Sequence, residues 1–240
     1  MRIRLTIEYD GTPFRGWAAQ PGKATVESAL RAALDETFSS VDRLAVAGRT
    51  DTGVHALGNV ASADVDGGPP LDRIAAAINT RLPDEISVVA AEEATVDFHA
   101  RHSATARSYR YRLFTRSTPS PFELRRSWWY PRPLDLDALE AAAALLPGEH
   151  DFRAFTPAVT QHKTFVRSVE SAEWIRRGDH LDLEISAGSY LRHMVRTLVG
   201  TMVDGIDLAP LLAGADRADA GQTAPPWGLY LVAVRYPPRR

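Results

Sequence analysis

The chain has no cysteine. That absence removes disulfides, thiolate nucleophiles and cysteine-bound metals together, and it agrees with a reducing compartment. Also missing is any apolar run near the roughly 18–20 residues that a membrane span requires. The opening M-R-I-R-L-T-I-E-Y-D-G alternates apolar and polar residues from the start, which is the pattern of a strand rather than of a targeting segment. We therefore expect a soluble, cytoplasmic protein. Net charge is scarce as well: 28 basic against 30 acidic residues leave −2, so the molecule as a whole exerts no pull on a polyanion. Neither a G-x-x-x-x-G-K-[ST] loop nor a G-x-G-x-x-G turn after a strand is present, so nothing indicates a nucleotide-phosphate cradle. His99, His102, His150, His162, His180 and His193 are scattered, with no H-E-x-x-H, and no metal is expected.

What is present supports an ordinary core. The chain has 240 residues, 45% of them hydrophobic, enough for one large domain or two of about 100–120 residues. Residues 2–9 place Ile3, Leu5, Ile7 and Tyr9 on one face of a strand. Thr25 reads as the N-cap of a helix with an apolar stripe of Val26, Leu30, Ala33, Leu34 and Phe38. Strands are expected near 44–47, 57–63 and 86–91, with a helix over about 71–81. The pattern restarts near residue 104: a strand at 108–113, a helix at 136–146, strands near 166–175 and 180–187, a helix over 189–203 and a last strand at 229–236. Adjacent strands without intervening helices predict an α+β fold with a largely antiparallel sheet. The boundary falls into a first half, 1–104, and a second, 105–240.

Two stretches carry chemistry. Residues 48–56 read G-R-T-D-T-G-V-H-A, a loop between strands that lifts Asp51 between Gly48 and Gly53, with Arg49 and His55 nearby and Thr50 and Thr52 on either side. Asp51 can be a plain turn former; a carboxylate beside a guanidinium also stays charged, as a nucleophile must. Asp51-Thr52-Gly53 further spells the D-T-G of aspartic proteases, which need a second such loop to share a proton; this chain has no second copy. The other stretch, Arg101 to Arg132, holds eight arginines and one acid, Glu123, among tyrosines, tryptophans and phenylalanines. Guanidinium forks beside aromatic planes suit phosphate contact and base stacking, so a non-catalytic RNA-binding protein is a third reading. In 189–203, Leu191, Met194, Val195, Leu198 and Met202 form a core stripe. Arg196 lies beside it and needs an acidic partner, either in a structural ion pair or in Asp51. Tyr109 is sheet core or a platform for a base.

Seven segments in order resemble the tRNA pseudouridine synthase A (TruA) family: I-E-Y-D-G-T-P-F-R-G-W-A-A-Q (7–20), G-R-T-D-T-G-V-H-A (48–56), N-T-R-L-P (79–83), D-F-H-A-R-H-S-A (97–104), R-S-Y-R-Y (107–111), H-M-V-R-T-L-V-G (193–200) and T-A-P-P-W-G-L-Y-L-V-A-V (223–234). The resemblance implies a pseudouridine synthase fold of two similar α+β halves with a central basic cleft. It implies an isomerase that converts uridine to pseudouridine at positions 38, 39 and 40 of the tRNA anticodon stem-loop, as a homodimer, with no metal and no cofactor. It implies that Asp51 is the nucleophile, Arg196 its partner, Tyr109 the residue packing on the target base, and Arg49 a cleft residue that helps displace the uridine. Thr52 departs from the family's usual alanine and Ala18 from a common glutamine, and the loop after Phe114 and the segment 203–222 are short.

Overall fold

A computed structural model describes residues 1–160 and 162–238. It divides into two compact units: the first holds Met1–Thr105 and the strand that resumes at Tyr230, and the second holds Ala106–Leu229.

In the first unit the alternation of the opening residues becomes β1, Arg2–Tyr9, with Ile3, Leu5 and Ile7 fully buried. After it come α1 (Val26–Asp35), β2 (Ser40–Val46), β3 (His55–Asp66), α2 (Ile74–Asn79) and β4 (Ile86–Glu93). β1 pairs antiparallel with β3 on one side and β4 on the other, and β2 adds antiparallel to β3. The closing strand of the chain, Leu229–Arg235, runs parallel to the start of β3, with Tyr230 opposite His55. α1 begins where Thr25 caps it in a reciprocal box with Ser28, and Val26, Leu30, Ala33 and Leu34 are buried as its stripe requires. The helix expected over 71–81 is shorter. Pro70 opens a 3-10 turn at Leu71–Arg73, and only Ile74–Asn79 is α-helical.

The opposite face of this sheet is also covered. Thr6 pairs with Val60, so Val60 shares the face of Arg4 and Thr6. There it joins Ala47 and Ala100 under Phe98, Val234 and Tyr236, with the Arg4 guanidinium 4.7 Å above the Tyr236 ring.

The second unit contains β5 (Ala106–Phe114), β6 (Trp128–Trp129), α3 (Leu136–Ala144), β7 (Gly148–Asp151), β8 (Val166–Arg177), β9 (His180–Ala187), α4 (Met194–Val203) and α5 (Leu208–Leu212). β5, β9, β8 and β7 pair antiparallel in that order, and β6 lies parallel to β5. Tyr111 and Leu113 are fully buried opposite Leu183 and Leu181. Met194, Val195, Leu198 and Met202 of α4 are buried as the stripe predicts. The helix expected from residue 189 starts only at Met194, because His193 takes the left-handed conformation at φ 63 and cannot propagate a right-handed turn. Mixed helix and largely antiparallel sheet in each unit make this an α+β protein. Among the described residues no helix is long and apolar enough to cross a membrane.

Candidate active site

The loop that carries Asp51 is fixed by the strands beneath it. Gly48 is bracketed by one side-chain amide: Asn59 Nδ2 donates to its carbonyl at 2.8 Å, and its N–H donates to Asn59 Oδ1 at 3.3 Å. Asn59 is completely buried, and its amide also donates to the Tyr9 hydroxyl at 3.2 Å. That hydroxyl lies 2.8 Å from Thr50 Oγ1. Burial pushes the Tyr9 pKa up to about 12, so it remains a neutral phenol at any physiological pH. Tyr9, Thr50 and Asn59 thus form an uncharged, buried chain under the residues that flank Asp51.

A second support comes from the loop after β1. Trp17 N–H donates to the Thr50 carbonyl at 3.0 Å. A side chain at Gly16, whose φ is +86, would reach to 2.7 Å of that carbonyl, and one at Gly11 would come within 2.0 Å of the Val54 carbonyl. The two glycines are therefore required where backbone meets backbone. The Val54 N–H closes a turn on the Asp51 carbonyl at 3.1 Å, and Gly53 has φ +78, the angle that the third position of a type II turn demands. Gly48 needs no such angle; Asn59 fixes it instead. Asp51 emerges half-buried at the crest, with Arg49 and Thr52 exposed.

His55, which stands out beside Asp51 in the sequence, is turned away from solvent and only 2% exposed. Its Nδ1 accepts the Gly11 N–H at 3.1 Å, with an Asp10 carboxylate oxygen at 3.0 Å. Its ring stacks on Tyr230 at 4.7 Å. It is a structural pin for the loop.

Tyr109 and Arg196 belong to the second unit. Tyr109 is half-buried on β5 and meets the Tyr190 ring edge-on at 5.0 Å. Tyr190 is itself fixed by donating to the Arg107 and Ile185 carbonyls. Arg196 donates from Nε to the Ala224 carbonyl at 2.8 Å, and the Ala224 N–H returns to the Arg196 carbonyl at 3.0 Å. The neighbouring Tyr111 hydroxyl is pushed well up by burial, an effect that the Arg196 charge opposes. Arg196 is therefore held at its inner nitrogen by the segment before the closing strand, a contact that the sequence does not reveal.

The arginine-rich strand turns out to be largely self-neutralised. Arg110 faces Glu184 at 2.9 Å, Arg177 bridges Asp182 and Glu184 at 2.9 Å each, and Arg112 lies within 4.0 Å of Asp182 and 3.9 Å of Glu123. Arg107 donates to the Gly188 carbonyl. Burial raises the Glu123 pKa, but hydrogen bonds from His180 and Ser127 and the Arg112 charge outweigh it and hold the carboxyl below its usual value. These arginines primarily serve the fold. Among the described residues no cluster of three or more His, Cys, Asp or Glu is placed to hold a metal.

Comparison with known proteins identifies the family. A family described as tRNA pseudouridine synthase matches residues 5–103 and 142–237. Those spans contain Arg49, Asp51 and Arg196; Tyr109 lies outside them. The chain is 42% identical to tRNA pseudouridine synthase A of Rhodopseudomonas palustris strain HaA2, over 98% of this chain and 99% of that protein. It is 40% identical to the protein of that name from Mesorhizobium japonicum and 38% to that of Brucella ovis, each over 98% of this chain, with 99% and 98% of the relatives covered. The chain belongs to the tRNA pseudouridine synthase family.

Proposed function

We propose that the chain isomerises uridine to pseudouridine at positions 38, 39 and 40 of the tRNA anticodon stem-loop, with Asp51 as nucleophile. The observation that carries this reading is the crest itself: a half-buried carboxylate on a loop fixed from below by Tyr9, Thr50 and Asn59, in a chain whose relatives match over nearly their whole length. Such a loop resists displacement, which a reaction sensitive to ångström errors requires.

The chemistry sets the remaining roles. A C1′–N1 bond must break, the base must turn, and a C1′–C5 bond must form with loss of the C5 hydrogen as a proton. None of this can happen inside a stacked helix, so the uridine is first extruded, at a cost of a few kcal/mol. In this reading Arg49, exposed two residues before Asp51, helps displace the base, and Tyr109 packs on it. Arg196, anchored through Nε, pairs with the Asp51 carboxylate and aims it. The enzyme works as a homodimer in the cytoplasm, without metal or cofactor. An aspartic protease would need two carboxylates sharing a proton, which the single D-T-G does not supply.

Incubation with tRNA carrying tritium at uridine C5 tests the proposal. Release of label from uridines 38–40 is the expected result. A tRNA that is bound but keeps all its label would leave a binding protein and end the synthase reading.

A further inference from the structure

The first unit has a cavity of about 200 Å³ beside the Asp51 loop, with Arg49 on its wall. Leu44 and Val46 of β2 and the buried Trp17 give it apolar lining, and Arg101 and His102 give it polar lining. His99 completes the polar lining; its ring lies 4.3 Å from that of His102. The 99–103 turn is internally tied. The His99 N–H donates to Ser103 Oγ at 3.0 Å, and His99 Nδ1 takes the N–H groups of Arg101 at 3.1 Å and His102 at 3.3 Å. An Nδ1 so engaged leaves the ring proton on Nε2, as a donor. Glu27 also lines the cavity, but its Oε2 accepts the Ala19 N–H at 2.9 Å, which ties it to the loop before α1.

Two guanidiniums and imidazole donors around a space this small fit an anion better than an organic ligand, whose pockets usually start near 300 Å³. Arg49 and Asp51 are two positions apart, with only Thr50 between them, within about 7 Å of chain. A backbone phosphate of a strand whose nucleotide sits at Asp51 is thus within reach of Arg49.

We propose that this cavity is a phosphodiester subsite: Arg49, Arg101, His99 and His102 seat one backbone phosphate of the RNA strand, next to the nucleotide presented to Asp51. The inference rests on the synthase reading for the identity of the RNA. The subsite adds a fixed point beside the reacting nucleotide, so that extrusion turns the base about an anchored backbone rather than a loose one.

Filter binding of an unmodified tRNA transcript between about 50 and 300 mM salt tests it, using wild type, Arg101→Gln/His102→Gln, Arg101→Lys and Ala45→Glu. Arg101 and His102 are exposed, so their replacement leaves the core intact. The double variant should bind about tenfold more weakly, with a log Kd against log salt slope shallower by roughly 0.7–0.9, the share of one phosphate. Arg101→Lys should retain the slope. Ala45→Glu, which puts a carboxylate into the cavity, should weaken binding at least as much as the double variant. Wild-type slope and affinity in the double variant, or undiminished affinity in Ala45→Glu, overturns the subsite. Label release by the wild type is measured separately: its absence would sink the synthase reading, while unchanged binding in the variants would sink only the subsite.

Discussion

The loop at 48–54 and the strand at 106–114 both carry charged side chains, yet they are stabilised in opposite ways. Beneath Gly48 and Thr50 the scaffold is neutral: a phenol, a hydroxyl, an amide and backbone groups, with the Asp10 carboxylate and His55 set further along at Gly11. The strand balances charge with charge, as Arg110, Arg112 and Arg177 close around Glu184 and the buried Asp182. A neutral scaffold holds a backbone without fixing the protonation state of the acid it presents, whereas an ion-pair network consumes the charges it is built from. The number of arginines in a segment thus says little about their availability; the acids on neighbouring strands decide it.

The comparison can be broken most violently at Asp182. Asp182→Ala leaves Arg110 and Arg177 with Glu184 and Arg112 with Glu123 as their remaining acids; because these guanidiniums are partly exposed, the change should cost about 2–3 kcal/mol, read as a drop in denaturation midpoint. A loss below about 1 kcal/mol would show that the network is not load sharing. Asn59→Ala, at the loop, removes the partner of Gly48 and Tyr9. About 1–3 kcal/mol should be lost, with turnover falling about a hundredfold because the crest moves; unchanged turnover would detach the Asn59 bracket from the chemistry. Acid should produce the smallest effect. Glu123 has its folded pKa held below the usual value by His180, Ser127 and Arg112 against the pull of burial. Its stabilisation is therefore complete above the ordinary carboxylate pKa, near 4.3, and is lost as pH falls through the folded value. Hydrogen exchange between pH 6 and 3 should show β5 and β9 amides losing protection before those of 48–54. Simultaneous loss would contradict the contrast.

Much of this was legible beforehand, and the failures have physical causes. The alternation of residues 2–9 and the Thr25 cap are local signals, and both elements form where expected. The Gly53 turn is local too. Asn59, Gly11 and Gly16 were invisible because their roles depend on which strand lies beside which: β1 pairs with β3 across some fifty residues, with a register shift near Tyr9. The pairing of Arg110 and Arg112 with acids about seventy residues away was hidden for the same reason. His55 is near Asp51 in the sequence, but at the start of β3 it turns inward against Tyr230. His193, in the left-handed region, ends an apolar period that on paper continues unbroken.

Asp51→Asn gives the most direct test, since it changes one oxygen to nitrogen at the crest and nothing beneath. With saturating enzyme and C5-tritiated tRNA in a single turnover, this account predicts no label released while tRNA affinity stays within about tenfold of wild type. Release at anything near the wild-type rate would contradict it.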